Sequence, residues 1–283
     1  MNSKPVALIT GTSSGIGLSA AIFLARAGFH VVATMRDPKK SQPLMERAKS
    51  ERLELEVSRV DVQDDASIKS CVADIMAKHG RIDLLLNNAG SGFVSSTEQT
   101  PLPVLQKIMD VDFFGVWRCT QAVLPHMRKA ASGRIITVSS IGGLIGQPFN
   151  DAYCAAKFAV EGMMESLAPL AKCFGVHVSL IEPGPVNTEF VATVTKEAAQ
   201  GITIDAYTPF QTRYINGSRQ RFATVGQTGD DIAAVIVTAA TEASPSLRYV
   251  TSDLMKGIAG RKYVDITGNS IIALTGAQLT AAP

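Results

Sequence analysis

Apolar residues follow two spacings along the chain, because short β-branched runs alternate with longer segments of helical period. Seven short runs occur, at residues 6–10, 31–34, 53–60, 82–86, 134–138, 176–181 and 248–251. Runs such as 82–86 are almost continuously apolar, which is typical of parallel strands covered by helices on both faces. The pattern predicts an α/β chain, a three-layer, doubly wound Rossmann fold with a seven-stranded parallel sheet.

This rhythm indicates one domain, residues 1–283, with two departures. Residues 189–227 mix aromatic side chains with Gly and Pro and break the alternation, which predicts an insertion over the site. Residues 252–283 show no clear amphipathic period and end in small residues. They predict a tail that is either disordered or packed on a partner subunit.

Charge and composition exclude several classes of protein. The net charge of +2 comes from 27 basic and 25 acidic residues that are interspersed, so no basic stripe favours nucleic acid. Apolar stretches end before the ~20 residues that a helix needs to cross a bilayer. The start resembles no export signal, and the four cysteines form no CxxC pair. We therefore expect no membrane span, no disulfide framework, no metal site and a cytoplasmic location.

A glycine-rich segment, residues 10–17, follows the first predicted strand and leads into a helical pattern. Glycines let the backbone approach a pyrophosphate, whose charge is met by free N–H groups at the helix N-terminus. The segment predicts a dinucleotide site, although its GxxxGxG spacing departs from the common GxGxxG.

The same glycines allow a remote alternative, because residues 11–15 also match GxSxG, the nucleophile turn of serine α/β-hydrolases. Such an enzyme needs an oxyanion loop from an earlier strand and a histidine after its acid. The segment here follows the first strand. None of the four histidines suits the role: His30, His79, His126 and His177.

Tyr153 and Lys157 lie one helical turn apart, after Asn150 and Asp151, which predict a helix cap. A neighbouring ammonium favours the phenolate of a tyrosine, so its hydroxyl can exchange a proton with an alcohol or carbonyl. Ser140 ends an earlier predicted strand, at the edge where α/β sheets bind ligands. We predict that Tyr153 is the acid/base and that Ser140 binds the reacting oxygen.

Further motifs occur with these in a fixed order: TGxxxGIG at 10–17, Asp61-Val62, NNAG at 87–90, Ser140, YxxxK at 153–157 and PGPVNT at 183–188. Over about residues 5–251 the chain resembles the classical short-chain dehydrogenases/reductases. Residues 146–158 are similar to the branch of 17β-hydroxysteroid dehydrogenase type 1 and the retinol dehydrogenases. The resemblance implies an oxidoreductase that interconverts an alcohol and its carbonyl by hydride transfer with a nicotinamide cofactor.

The resemblance also implies roles for single residues. Lys157 lowers the pKa of Tyr153 and holds the nicotinamide ribose, while Ser140 orients the substrate oxygen. The implied cofactor contacts are Gly11, Ser13, Ser14, Gly15, Ile16 and Gly17 around the diphosphate, Asp61 and Val62 at the adenine, Asn88, Ala89 and Gly90 at the adjoining ribose, and Pro183, Gly184, Val186 and Thr188 near the nicotinamide.

Asp112 stands where the family usually has Asn, the fourth member of its proton relay. In the family this residue contributes mainly its main-chain carbonyl, so an Asp can keep the geometry while its charge raises the pKa of the lysine. We predict that turnover survives at a reduced rate. The alternative is a catalytically impaired dinucleotide sensor of the same fold.

The end of the second predicted strand bears on the choice of cofactor. Asp37 lies about 20 residues beyond the glycines, where an acid indicates NAD. In the family, however, the discriminating acid ends the strand, where Met35 stands, and Arg36 occupies the position at which NADP users carry a base. Because Arg grips a phosphate through a charge-assisted fork, we expect NADP(H) to be preferred over NAD(H).

Aromatic residues in 189–227 favour a small lipophilic substrate, a steroid, retinoid or fatty alcohol and its carbonyl. Phe190 and Tyr214 are candidate substrate contacts beside Ser140 and Tyr153. Helices predicted at 101–130 and 151–173 match the pair that builds the family's dimer interface, which implies a homodimer or homotetramer. Pro169 is expected to kink the second helix or end it early.

Overall fold

The computed structural model describes residues 4–189, 201–262, 264 and 277. Its centre is a seven-stranded sheet with the order β3-β2-β1-β4-β5-β6-β7, and every neighbouring pair is parallel. The strands are β1 (Val6–Thr10), β2 (His30–Met35), β3 (Leu55–Arg59), β4 (Leu84–Asn87), β5 (Gly133–Val138), β6 (Val176–Glu182) and β7 (Arg248–Val250). All seven predicted strands are confirmed.

Helices cover both faces of this sheet. They are α1 (Gly15–Arg26), α2 (Gln42–Ser50), α3 (Asp65–His79), α4 (Leu102–Met109), α5 (Gly115–Ala130), α6 (Asp151–Lys172), α7 (Thr208–Val225), α8 (Gly229–Thr241) and α9 (Asp253–Ala259). One buried cluster lies between the sheet and α1, α2 and α8, and a second lies between the sheet and α3, α5 and α6. The predicted three-layer Rossmann architecture is therefore confirmed.

The strands are buried because their residues are apolar on both faces. All five residues of β1 are buried, and Leu84, Leu85 and Leu86 of β4 have no exposed surface. Polar residues end the strands at the carboxyl edge, where Thr10, Asn87 and Glu182 close β1, β4 and β6. The fold thus directs polar side chains to one edge of an otherwise apolar sheet.

The segments outside this rhythm contain more helix than the sequence indicates. Within 189–227, the described residues include the helix α7, while Phe190 lies outside the described residues. The tail begins with α9, whose first turn is capped by the Ser252 hydroxyl, which accepts a hydrogen bond from the Met255 amide at 3.4 Å. A helix therefore forms at the start of residues 252–283, although the sequence there shows no clear amphipathic period.

Pro169 does not end its helix early, because α6 continues to Lys172. A proline removes the hydrogen bond to the carbonyl four residues earlier, which belongs to Glu165. Both Pro169 and Glu165 are exposed, so water can bind that carbonyl and the helix tolerates the proline in its last turn. Among the helices that the structure describes, none has the length and apolar character needed to cross a membrane.

Candidate active site

The glycine loop at residues 11–17 joins β1 to α1 at the carboxyl edge of the sheet. Gly11 and Gly15 have positive φ angles of 73° and 57°, a region that other L-residues rarely adopt. A Cβ at Gly17 would lie 2.2 Å from the Gly11 carbonyl oxygen, so no larger residue fits there. The glycines therefore keep backbone N–H groups accessible at the start of α1, as a phosphate-binding loop requires.

Asn88 and Ala89, which follow β4, hold this loop in place. The Asn88 side chain donates hydrogen bonds to the carbonyls of Thr10 and Gly11 at 3.0 and 2.9 Å. The main-chain amides of Asn88 and Ala89 donate to the Thr10 hydroxyl at 3.0 and 3.1 Å. The Asn88 amide group is thus engaged with the loop, while the resemblance assigned this residue to the ribose.

The end of β2 has the arrangement that the sequence predicts. Met35 is buried, Arg36 is exposed, and the Asp37 carboxylate accepts a hydrogen bond from the Lys39 amide at 3.1 Å. Asp37 therefore caps the turn after the strand. Beside it, beyond β3, the Asp61 carboxylate accepts a hydrogen bond from the Gln63 amide at 3.1 Å, and Val62 is buried against Gly115.

Residues 183–188, after β6, close the opposite side of this edge. The Pro183 carbonyl accepts a hydrogen bond from the Ile141 amide at 2.8 Å. Thr188 reaches the glycine loop, since a Cβ at Gly15 would lie 3.2 Å from the Thr188 Cβ. An open cavity of about 670 Å³ is lined by residues of both segments, among them Ser13, Ser14, Gly15 and Thr188. The two segments therefore border one groove.

Ser140, Tyr153 and Lys157 meet at the same edge. Ser140 follows β5, and its hydroxyl accepts a hydrogen bond from the Gly142 amide at 3.0 Å and also interacts with Tyr153. Lys157 lies one turn after Tyr153 on α6, with its Nζ 5.7 Å from the centre of the tyrosine ring. The Lys157 ammonium donates to the Val138 carbonyl at 3.2 Å. The structure thus brings the three predicted residues together.

Asp112 lies in this group as well. It belongs to a π-helical segment, Asp110–Phe114, between α4 and α5, and such widened turns often occur at functional sites. Its Oδ1 is 3.2 Å from the Lys157 Nζ, and its Oδ2 accepts hydrogen bonds from the amide and hydroxyl of Ser91 at 2.9 and 2.8 Å. Gly90 leaves room for this pair, since a Cβ there would lie 2.9 Å from Asp112 Oδ1.

Burial and charge act in opposite directions on these groups. Burial raises the pKa of Tyr153, and the Lys157 ammonium and the Ser140 hydroxyl offset this only in part. Lys157 lowers the pKa of Tyr153 as expected, but burial has the larger effect, so the pKa of Tyr153 lies above its ordinary value. Burial lowers the pKa of Lys157, whereas Asp112 and Tyr153 raise it above its ordinary value. Burial also raises the pKa of Asp112, against the effect of Lys157.

Asn150 is the N-cap residue of α6, but its side chain does not cap the helix. It donates instead to the Tyr214 hydroxyl at 2.6 Å and to the Pro148 carbonyl at 3.0 Å. Tyr214, on α7, also packs on the Phe149 ring, with centroids 5.9 Å apart. The predicted side-chain cap is wrong because a partner from the insertion binds the amide, and this contact joins α7 to the start of α6.

A further group of buried polar side chains lies near the site, and the sequence analysis does not predict it. Glu161 on α6 and Glu182 on β6 are both buried, and the Arg248 Nε lies 3.1 Å from Glu161 Oε2 and 3.2 Å from Glu182 Oε1. Burial, followed by repulsion from Glu161, raises the pKa of Glu182 to about 8. The available signal was a glutamate at the end of an otherwise apolar strand.

The hydrolase alternative finds no support in the position of the histidines. His30 and His177 belong to the amino-terminal ends of β2 and β6, whereas the glycine loop follows the carboxyl end of β1. His79 ends α3 and contacts His30, with ring centroids 4.4 Å apart. Because none of these three lies at the edge that carries Ser13, they offer that serine no general base.

Comparison with known proteins agrees with the geometry. Residues 5–199 match the family model described as short chain dehydrogenase. The chain is 39% identical to human retinol dehydrogenase 8, covering 98% of this chain and 90% of that protein. It is 38% identical to human 17-beta-hydroxysteroid dehydrogenase type 1, covering 95% and 84%.

A solved structure is similar over most of the fold. A metagenomic short-chain oxidoreductase in complex with NADP matches with a TM-score of 0.69 at 27% identity, covering 87% of this chain and 96% of the other. With the family match over residues 5–199 and the two relatives that match nearly the whole chain, the chain belongs to the short-chain dehydrogenase family of oxidoreductases.

Proposed function

We propose that this protein is an NADP(H)-dependent oxidoreductase that interconverts a lipophilic alcohol and its carbonyl, with Tyr153 as the acid/base. The observation that carries the proposal is that the half-buried Tyr153 and Ser140 meet the buried Lys157 at the sheet edge that bears the glycine loop. The family and the two dehydrogenase relatives support the reaction class.

The residues present fit a nicotinamide dinucleotide. Gly11 to Gly17 form a cradle that a Cβ at Gly17 would fill, and the start of α1 offers N–H groups to a diphosphate. Thr188 borders the other side of the groove, and with Pro183, Gly184 and Val186 of the same segment it would hold the nicotinamide end. When bound, the cofactor supplies or accepts the hydride.

The side chains account for the proton. Ser140 accepts a hydrogen bond from Gly142, so its own hydroxyl hydrogen can be donated to the substrate oxygen. The Tyr153 hydroxyl protonates that oxygen during reduction and takes the proton during oxidation. Lys157 stabilises the phenolate, and Asp112 stabilises the ammonium of Lys157 at 3.2 Å. Asp112 is therefore a positioning residue that keeps Lys157 charged.

Arg36 supports the preference for NADP(H). It is exposed directly after β2, and the neighbouring Asp37 carboxylate is engaged with the Lys39 amide. The guanidinium can therefore bind a 2′-phosphate while the carboxylate remains in its turn.

Two features support the substrate class. Phe149 and Tyr214 pack together beside the start of α6, and the relatives are named for retinol and a hydroxysteroid; both fit an apolar alcohol or its carbonyl.

Phe114 and Trp117 are each 47% exposed at the start of α5. Large exposed apolar side chains favour a partner surface, here a homodimer or homotetramer.

The test is oxidation of NADPH by the purified chain with retinal, ketosteroids and aliphatic aldehydes. We expect turnover with at least one of them and a loss of at least 100-fold in kcat for Tyr153→Phe. Tyr207→Phe is the matched control, since it removes the hydroxyl of a half-buried tyrosine that donates to Glu98 and not to the group of Ser140, Tyr153 and Lys157. NADPH fluorescence reports cofactor binding in all three proteins. Binding without turnover of any carbonyl would favour the sensor over the enzyme.

A further inference from the structure

Two histidines and a glutamate meet at the amino-terminal edge of the sheet, opposite the candidate active site. His30 begins β2, Glu56 lies on β3, and His79 ends α3. The strand register pairs Val32 with Glu56, so His30 and Glu56 project from the same face. Cys71 and Val72 of α3 pack with Val32 on that face, which brings the end of α3 to the pair. Three elements, β2, β3 and α3, therefore direct these side chains to one point.

One carboxylate oxygen is the centre of this cluster. Glu56 Oε1 lies 2.6 Å from His30 Nε2 and 3.2 Å from His79 Nε2, and one ligand atom from each residue lies within 4.8 Å of the others. The His79 Nε2 is buried but forms no hydrogen bond of acceptable geometry. Its polar atom therefore faces the carboxylate without being satisfied by it, and a buried polar atom left in this state is costly.

We propose that His30, Glu56 and His79 form a binding site for a divalent transition-metal ion, with zinc as the best-fitting ion. Two imidazoles and one carboxylate are a donor set that zinc prefers, whereas calcium and magnesium prefer oxygen ligands alone. Zinc binds nitrogen and oxygen at about 2.0 to 2.2 Å, so its ligand atoms stand roughly 3.4 Å apart in a tetrahedral site. Small side-chain rotations from the present distances reach that spacing.

The surroundings permit such an ion. The side chains of His30, Glu56 and His79 are 29%, 29% and 17% exposed, which leaves a fourth position open to water. Lys78, whose Nζ is 2.6 Å from Glu56 Oε1, competes for that oxygen, but its side chain is 62% exposed and can turn away.

An ion at this point would join β2, β3 and α3 far from the glycine loop. It would stabilise the folded chain, because the unfolded chain lacks the assembled site. At a free zinc concentration of 100 times the dissociation constant, the linkage relation predicts a rise in Tm of roughly 5 °C for a domain of this size. This inference does not depend on the proposed function, since neither cofactor nor substrate is involved.

The experiment is calorimetric titration of the metal-free full chain with zinc chloride at pH 7.5 in a non-chelating buffer. We expect one ion per chain, a Tm that rises with zinc, and binding weakened at least 100-fold in His30→Gln and in His79→Gln. Lys78→Gln should bind zinc more tightly, because the competing ammonium is gone. His126→Gln and Cys173→Ser are matched controls that alter a half-buried imidazole and an exposed thiol elsewhere, and both should bind as the parent does.

Absence of saturable binding, or equal binding in the parent and both histidine variants, would overturn the proposal. Cobalt titration of the parent chain gives a second readout that needs no variant. A tetrahedral cobalt spectrum in the visible range, removed by stoichiometric zinc, is expected, and its absence counts against the site even if a variant fails to fold.

Discussion

Replacing Glu182 by Gln should change how the stability of this protein depends on pH. Glu182 is fully buried at the carboxyl end of β6 and shares the Arg248 guanidinium with Glu161. One cation can balance only one of these carboxylates, and Glu165 binds the same guanidinium at 2.6 Å. Burial, together with repulsion from Glu161, raises the pKa of Glu182 to about 8, so this carboxyl group keeps its proton near neutral pH.

The sign follows from proton binding in the two states. The unfolded chain loses the Glu182 proton near its ordinary pKa of 4.5, and the folded chain loses it near 8. The stabilisation is thus complete below about 4.5 and is lost as the pH rises to about 8, at up to about 1.4 kcal/mol per pH unit. The total is on the order of 3 to 5 kcal/mol, because one pKa unit corresponds to about 1.36 kcal/mol. Glu182→Gln keeps the shape and removes the titration.

The assay is urea unfolding of parent and variant at pH values from 5.5 to 8.5. The variant should gain stability relative to the parent as the pH rises, with most of the gain between 5.5 and 8. Glu165→Gln is the matched control, since it removes a carboxylate from the same arginine at a side chain that is 62% exposed. Parallel pH profiles of parent and Glu182→Gln would refute the idea that a buried carboxyl group keeps its proton here.

Two further predictions concern the proposed enzyme. Arg36→Ala should raise KM for NADPH by about 10- to 100-fold more than KM for NADH, because only NADPH loses a charge-assisted contact; equal effects would favour NAD(H). Asp112→Asn should shift the pH profile of alcohol oxidation to lower pH, because Asp112 raises the pKa of Tyr153. An inactive parent beside an active Asn variant would contradict the view that Asp112 preserves the relay.

The features that the sequence predicts well are those with a local physical cause. The strands follow from continuous apolar runs, and the shape of residues 11–17 follows from glycines that alone fit the backbone angles and close contacts. The positions of Ser140, Tyr153 and Lys157 follow from a strand end and from helical spacing. In each case the residues that set the conformation lie within a few positions of the feature.

The features that were missed depend on residues far apart in the chain. Asn150 is of a residue type that often caps helices, but its side-chain amide donates a hydrogen bond to the hydroxyl of Tyr214, which lies 64 residues later. The cluster at the amino-terminal edge joins His30, Glu56 and His79 from three elements that are far apart in the chain. Capping preferences consider only neighbouring residues, so they do not account for a hydrogen-bond partner that the tertiary fold brings to the same side chain.

Lys157 and Glu161 on α6 are both buried, and each meets a carboxyl group from another element. On α6, Tyr153, Lys157 and Glu161 recur every four residues and so lie along one face. Lys157 meets a carboxylate from the π-helical segment, which also accepts two hydrogen bonds from Ser91, whereas Glu161 meets another carboxyl group and shares one arginine with it. The first group can remain fully charged, but the second must keep a proton. The sequence motif identifies the first two turns of this face, and only the fold adds the third.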